Sequence, residues 1–149
     1  MIVSRIALRK YANDLQASGR AARWNPNDLY MLYTAASRSQ ACLENVVHRD
    51  RVGLTQLFNV MTIDIPDNLV THQITLKHLP ADWKQFINMP LTQQMGADWI
   101  RSNRSAVLKV PSSIIDGEVN YLLNPAHPDY KKIRLVSSEP FTFDQRIKA

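Results

Sequence analysis

Beyond residue 105 the chain reads as a succession of short apolar segments cut by turn formers. Residues 106–110, 119–123, 133–137 and 141–143 are separated by Pro111 and Ser112, by Asp116 and Gly117, and by Asn124 and Pro125. Such a run lacks the strand–helix alternation of a doubly wound sheet. It favours an α+β fold of a few short helices on mainly antiparallel strands. The earlier half fits the same class. Residues 59–65 alternate, placing Met61, Ile63 and Ile65 on one face and Thr62 and Asp64 on the other, with Pro66 to end the strand. Residues 29–34 and 70–76 also read as strands.

Two helices are expected between these strands. Ser37 suits an N-cap for a helix running to Val47, with Gln40, Leu43 and Val47 along its buried stripe, Ala36 above and Val46 flanking. Residues 80–86 read as a helical turn carrying Trp83. Pro90 can open a second helix through Met95, Trp99 and Ile100 that closes near Ser102. The 149 residues contain no repeat and no Gly/Ser linker, so residues 1–149 are expected to form a single domain. Neither a signal peptide nor a membrane-spanning run is visible. Cys42 is the only cysteine, which excludes an internal disulfide and a cysteine-based zinc cluster. A cytoplasmic protein is expected.

Several chemistries are excluded by what is missing. The four glycines, Gly19, Gly53, Gly96 and Gly117, are too far apart to cradle a phosphate, so neither a dinucleotide-binding fingerprint nor a P-loop is present. His48, His72, His78 and His127 show no paired metal-ligand spacing, and no metal site is expected. No G-x-S-x-G elbow occurs. A nucleotide would have to be gripped by side chains. Those are plentiful: the net charge is +5, and Arg5, Arg9, Lys10, Arg20 and Arg23 fall within the first 24 residues against Asp14 alone. A basic cluster of this kind suits nucleic acid, a phosphate-bearing small molecule or an acidic protein, and equally a solvated face.

The stretch Arg23, Trp24, Asn25, Pro26 places a cation, an aromatic and an amide just before a strand. Trp24 reads as a core plug, which leaves Arg23 without a structural reason. Tyr33 follows ten residues later and Glu44 eleven after that, beside Leu43 and near the Val47 row. A carboxylate partly buried there is costly unless it is paired or used.

These pieces together resemble a known family. R-W-N before a Tyr-Thr strand, A-C-L-E-N-V-V-H on the next helix, then V-P-S-S and N-Y-L-L-N-P-A-H-P closely resemble the RES domain, over roughly residues 5–143. Ala21 and Ala22 stand where the family commonly has two glycines, and the preceding loop is shorter. The resemblance implies a fold similar to that of the ADP-ribosyltransferase toxins and a toxin that destroys NAD by hydrolysis or phosphorolysis. NAD enters as substrate, with no cofactor. By resemblance the catalytic roles fall to Arg23, Tyr33, Glu44 and Ser112, with Ser105 and Ser113 as lesser claimants to the serine role. Arg5, Trp24 and Asn120 are expected to touch substrate; Ser4 stands where the family's Tyr would precede Arg5. The implied partner is an antitoxin with a helix-turn-helix domain that silences the enzyme and contacts DNA on its behalf. A mono-ADP-ribosyltransferase acting on a protein would use the same pocket. A basic nucleic-acid-binding module is a more distant reading, against which stands the lack of interleaved basic and aromatic residues. A catalytically dead pocket kept for protein interaction would not need all four polar groups.

Overall fold

The computed structural model describes residues 1–148. Nine elements follow in order: β1 (Ile2–Leu8), β2 (Leu32–Ala35), α1 (Arg38–His48), β3 (Phe58–Asp64), β4 (Thr71–Gln73), α2 (Met89–Ser102), β5 (Val107–Pro111), β6 (Val119–Leu123) and β7 (Arg134–Phe141). The strands join one sheet in the order β4-β5-β6-β2-β1-β3-β7. Every neighbouring pair is antiparallel except β4 with β5. The α+β class and the mainly antiparallel sheet agree with the sequence. Among the described residues no helix is long and apolar enough to cross a membrane.

Several boundaries differ from the sequence reading. The expected strand 29–34 begins at Leu32 and runs to Ala35. The expected strand 70–76 shortens to Thr71–Gln73. The two C-terminal segments 133–137 and 141–143 form most of one strand, β7, which pairs with β3 from Arg134 to Phe141 across a bulge near Thr62. Phe143 lies past its end and packs edge-on against Phe58 and Phe141. Strand β1, read from no pattern, sits between β2 and β3 and is buried on both faces at Val3, Ser4, Ile6 and Ala7. A strand covered on both sides has no reason to alternate.

Ser37 caps α1 as expected, its hydroxyl accepting from the Gln40 N–H. The buried stripe is rotated from the expected one. Gln40 and Ala41 are buried, whereas Val47 is 52% exposed. The cause is the close seat of α1 on β1: small Ala41 faces the sheet beside Ile6, and Asn45 donates to the Ile6 carbonyl at 3.1 Å. Helix α2 approaches closely as well. A Cβ at Gly96 would stand 1.7 Å from the Trp24 carbonyl oxygen, so only glycine permits this contact. Asn103 ends α2 in the left-handed conformation at φ 52°.

The sheet is not uniformly zipped. β1 pairs with β3 from Ile2 to Leu8, yet β1 and β2 share a single paired register, Ser4 with Ala35. Past that point the two strands part. The Tyr33 carbonyl, left without a strand partner, accepts from the Arg5 guanidinium at 2.8 Å.

Candidate active site

A cleft of about 880 Å³ opens where β1 and β2 part, within the range of small-molecule sites. Its walls come from β1, β2, α1 and the loop after β1, and include Arg5, Tyr33, Glu44 and His48. Four cations line it, Arg5, Lys10, Arg20 and Arg49, against one carboxylate, Glu44. That balance suits a ligand with anionic groups at one part and a cationic or electron-poor centre beside Glu44.

Glu44 is held rather than free. Asn120 on β6 donates its amide both to a Glu44 carboxylate oxygen and, at 3.1 Å, to the Thr34 carbonyl. Gln40, one turn earlier on α1, donates to the Val119 carbonyl at 3.0 Å and lies beside the same carboxyl. Burial pushes the Glu44 pKa up, opposed by the Asn120 and Gln40 hydrogen bonds and by the Arg5 charge. Arg5 is itself desolvated, which lowers its pKa, while Tyr130 and Glu44 pull it back. A desolvated cation and a half-buried carboxylate thus share the cleft.

Tyr33 has its hydroxyl fixed at both ends. It donates to Asn25 Oδ1 and accepts from the Trp24 N–H at 3.1 Å. Burial raises its pKa well above the ordinary phenol value, so the hydroxyl stays protonated and orients the ring. Asn25, 1% exposed, is the hub of this loop. Its Nδ2 reaches the carbonyls of Arg20, Pro26 and Leu29 at 2.9, 3.1 and 3.0 Å. The sequence contained Asn25 in its R-W-N motif without giving it a role. From the other side α2 pins the same loop: Thr92 Oγ1 donates to the Arg23 carbonyl at 2.6 Å and Gln93 to the Ala22 carbonyl at 2.9 Å.

The remaining expected residues fall as follows. Arg23 rests over the Trp83 ring, 6.0 Å from its centroid, with one long bond of 3.4 Å to the Trp83 carbonyl. It lies outside the cleft wall, close enough that its charge acts on Tyr33 and His48. Trp24 is a core residue at 3% exposure, packed with Trp83, and reaches the site only through its backbone N–H. The expectation that its ring meets substrate is therefore replaced by a packing role. Asn120 likewise has its amide committed to Glu44 and Thr34. Ser112 is buried just beyond β5, and its Oγ accepts from the Ile114 and Ile115 N–H groups at 3.1 Å each. It fixes the β5–β6 turn and is not part of the cleft wall. Ser105 accepts from the Trp99 indole and donates to the Val107 carbonyl, both at 2.9 Å, deep in the core.

His48 and Arg49 were not anticipated. Residues 40, 44 and 48 recur every fourth position along one edge of α1, and 41 and 45 along the next, with Arg49 at the C-cap just beyond. The signal was in the spacing: Glu44 and His48 stand at i and i+4 in the E-N-V-V-H run. His48 is exposed at one side, yet partial desolvation lowers its pKa, and the charges of Arg23 and Arg49 lower it further.

The RES domain family matches residues 2–144. A "Prs ADP-ribosylating toxin" of Sphingobium is 36% identical over 141 residues, covering 91% of this chain and 88% of its own. A "Toxin Res" of Photorhabdus laumondii is 32% identical over 152 residues, with 99% and 97% covered. A "Toxin Res" of Yersinia enterocolitica is 31% identical over 154 residues, with 99% and 100% covered. Among solved structures, a chain of the M. tuberculosis MbcT–MbcA toxin–antitoxin complex shares the fold at a TM-score of 0.75 and 19% identity, covering 95% of this chain and 84% of that one.

Proposed function

The chain belongs to the RES-domain family of toxins, and from that membership we propose that it is the toxin of a toxin–antitoxin pair that cleaves the nicotinamide–ribose bond of NAD. The observation that carries this reading is the held carboxylate of Glu44 in a cleft whose other charged residues, Arg5, Lys10, Arg20 and Arg49, are all cations. Breaking an N-glycosidic bond to a cationic leaving group builds positive charge on the ribose ring. Nicotinamide departs neutral, so little acid chemistry is needed. The Glu44 carboxylate, already oriented by Asn120, stabilises the oxocarbenium-like ring. The Tyr33 ring, fixed through its hydroxyl, forms one wall for the nicotinamide or ribose. The pyrophosphate is met by the cationic side of the cleft. Arg23, held by a long bond to the Trp83 carbonyl and a loose stacking contact with its ring, can reach that side with little lost.

One observation favours a second reading. The Sphingobium relative is named for ADP-ribosylation, and the same cleft would serve transfer of ADP-ribose to a protein. The cleft is also where an inhibiting antitoxin must act, and an acidic segment of that partner would complement Arg20 and Arg23. In this reading the partner carries the helix-turn-helix domain and any DNA contact. Release of nicotinamide from NAD by the purified protein, with and without phosphate and with an added protein acceptor, tests both readings. Release abolished in Glu44→Ala supports cleavage at this site, and no release under any condition rejects it. Losing the carboxylate should cost about 2–4 kcal/mol of transition-state stabilisation.

A further inference from the structure

The choice of acceptor is written into the groups around the cleft, granted the NAD-cleaving reading above. Cleavage leaves a ribosyl cation that must be captured. Inorganic phosphate already carries a free anionic oxygen and needs no base. Water and an un-ionised side-chain hydroxyl do need one, because the attacking oxygen must shed a proton. The cleft offers few proton acceptors. Arg5, Lys10, Arg20 and Arg49 are cations without an acceptor atom. The Tyr33 hydroxyl is committed to Asn25 and Trp24. Tyr11 lies at the outer lip beneath Lys10, 57% exposed. Glu44 already receives the Asn120 amide and, in this mechanism, faces the ribose.

That leaves the imidazole of His48. It stands one helical turn beyond Glu44 on the same edge of α1, where Cβ atoms are roughly 5–6 Å apart. We propose that His48 is the general base that activates a neutral acceptor, water or a hydroxyl, against the ribosyl cation formed beside Glu44.

The step balances as follows. The C1′–N bond breaks with its electron pair passing to the nicotinamide nitrogen, which leaves uncharged. A lone pair of the water oxygen forms the new C1′–O bond. The displaced water proton moves to a ring nitrogen of His48, and the resulting imidazolium returns it to solvent. The products are nicotinamide, ADP-ribose and one proton. In phosphorolysis the phosphate oxyanion forms the C1′–O bond directly, and His48 has no proton to take.

The groups facing His48 keep it in the accepting form. Arg49 follows it directly at the C-cap of α1 and Arg23 approaches from the loop before β2; both oppose its protonation, along with the partial desolvation of an otherwise exposed ring. Glu44 on α1 is the neighbouring carboxylate. Arg5 on β1, with Lys10 and Arg20 on the loop after it, completes the cationic surroundings across the cleft.

The test is a pair of rates measured on the full chain, nicotinamide release from NAD in water and in saturating inorganic phosphate, for wild type, His48→Asn and His48→Gln. His48→Asn is expected to slow hydrolysis by ~100-fold, the lower end of general-base effects, and to slow phosphorolysis far less. Added imidazole should restore part of the hydrolysis, and the fall of hydrolysis at acid pH should lose its His48 component. Equal losses in both rates, or no loss in either, overturn the assignment. A wild type that releases no nicotinamide rejects the NAD-cleaving reading itself, a different failure. Thermal unfolding of the variants separates these outcomes from misfolding, and His48→Gln guards against a defect peculiar to the shorter side chain.

Discussion

Gly96→Ala sets two physical effects against each other. Helix propensity alone predicts a gain, because alanine inside a helix is favoured over glycine by about 1 kcal/mol. The structure predicts the opposite. The added methyl would lie 1.7 Å from the Trp24 carbonyl oxygen and 2.8 Å from its carbon, both backbone atoms. Real contacts of this kind essentially never fall below 3.0 Å, so α2 and the Arg23–Trp24 segment must part by about 1.3 Å. That displacement acts on the bonds from Thr92 to the Arg23 carbonyl and from Gln93 to the Ala22 carbonyl. Overpacking of a closed core costs ~1–3 kcal/mol, and each lost hydrogen bond adds about 1 kcal/mol. Against the propensity gain the net loss is about 2–4 kcal/mol. Urea unfolding should show the midpoint lowered by roughly 1 M at unchanged slope. The same shift moves the Trp24 N–H that fixes the Tyr33 hydroxyl, and a 1 Å misplacement at a reacting site costs ~100-fold in rate. A variant as stable and as active as the parent would refute the claim that α2 holds this loop by direct backbone contact.

Three further outcomes follow from the site. Asn25→Ala removes the partner of the Tyr33 hydroxyl and of three carbonyls at once; it should cost about 3 kcal/mol, read by chemical unfolding, and a loss under 1 kcal/mol would show that water replaces the amide freely. Glu44→Gln should be more stable than the parent at pH 7 by ~1 kcal/mol, as residues at strained functional sites commonly are when replaced. The sign follows from burial: the folded pKa of Glu44 lies above its unfolded value, so its contribution is fully present below the unfolded pKa and is lost as pH rises through the folded one. The gap should therefore close below about pH 4.3; thermal unfolding against pH checks this, and a gap independent of pH contradicts it. Arg5→Met leaves the Tyr33 carbonyl unpaired in the opened sheet and should weaken NAD binding and stability together, measured by calorimetry; unchanged binding would remove Arg5 from the cleft's function.

Much of this was legible in the sequence where local chemistry decides the outcome. Ser37 announced the start of α1, the alternation of residues 59–65 announced β3, and Pro90 announced α2. Tyr33 and Glu44 could be singled out because a strand tyrosine and a half-buried carboxylate sit inside a strong motif. What stayed hidden depends on tertiary contact. Strand β1 is buried on both faces, so its apolar residues show no period of two. The rotation of α1 came from Ala41, whose small size matters only once β1 lies beneath it. Gly96 looked like a weak point in a helix until Trp24 stood against it. The committed hydroxyl of Ser112 and the amide of Asn120 were read as free groups, because sequence cannot say which hydrogen bonds a polar side chain has already made. The parting of β1 from β2, which creates the cleft, has no sequence signal at all.

The most direct test is nicotinamide release from NAD by the purified chain, free of any antitoxin, compared with Glu44→Gln, which keeps the shape of the side chain and removes its charge. The account predicts release by the parent and a loss of roughly 30-fold or more in the variant, equivalent to about 2 kcal/mol. Equal release by both proteins, with both folded, would contradict it.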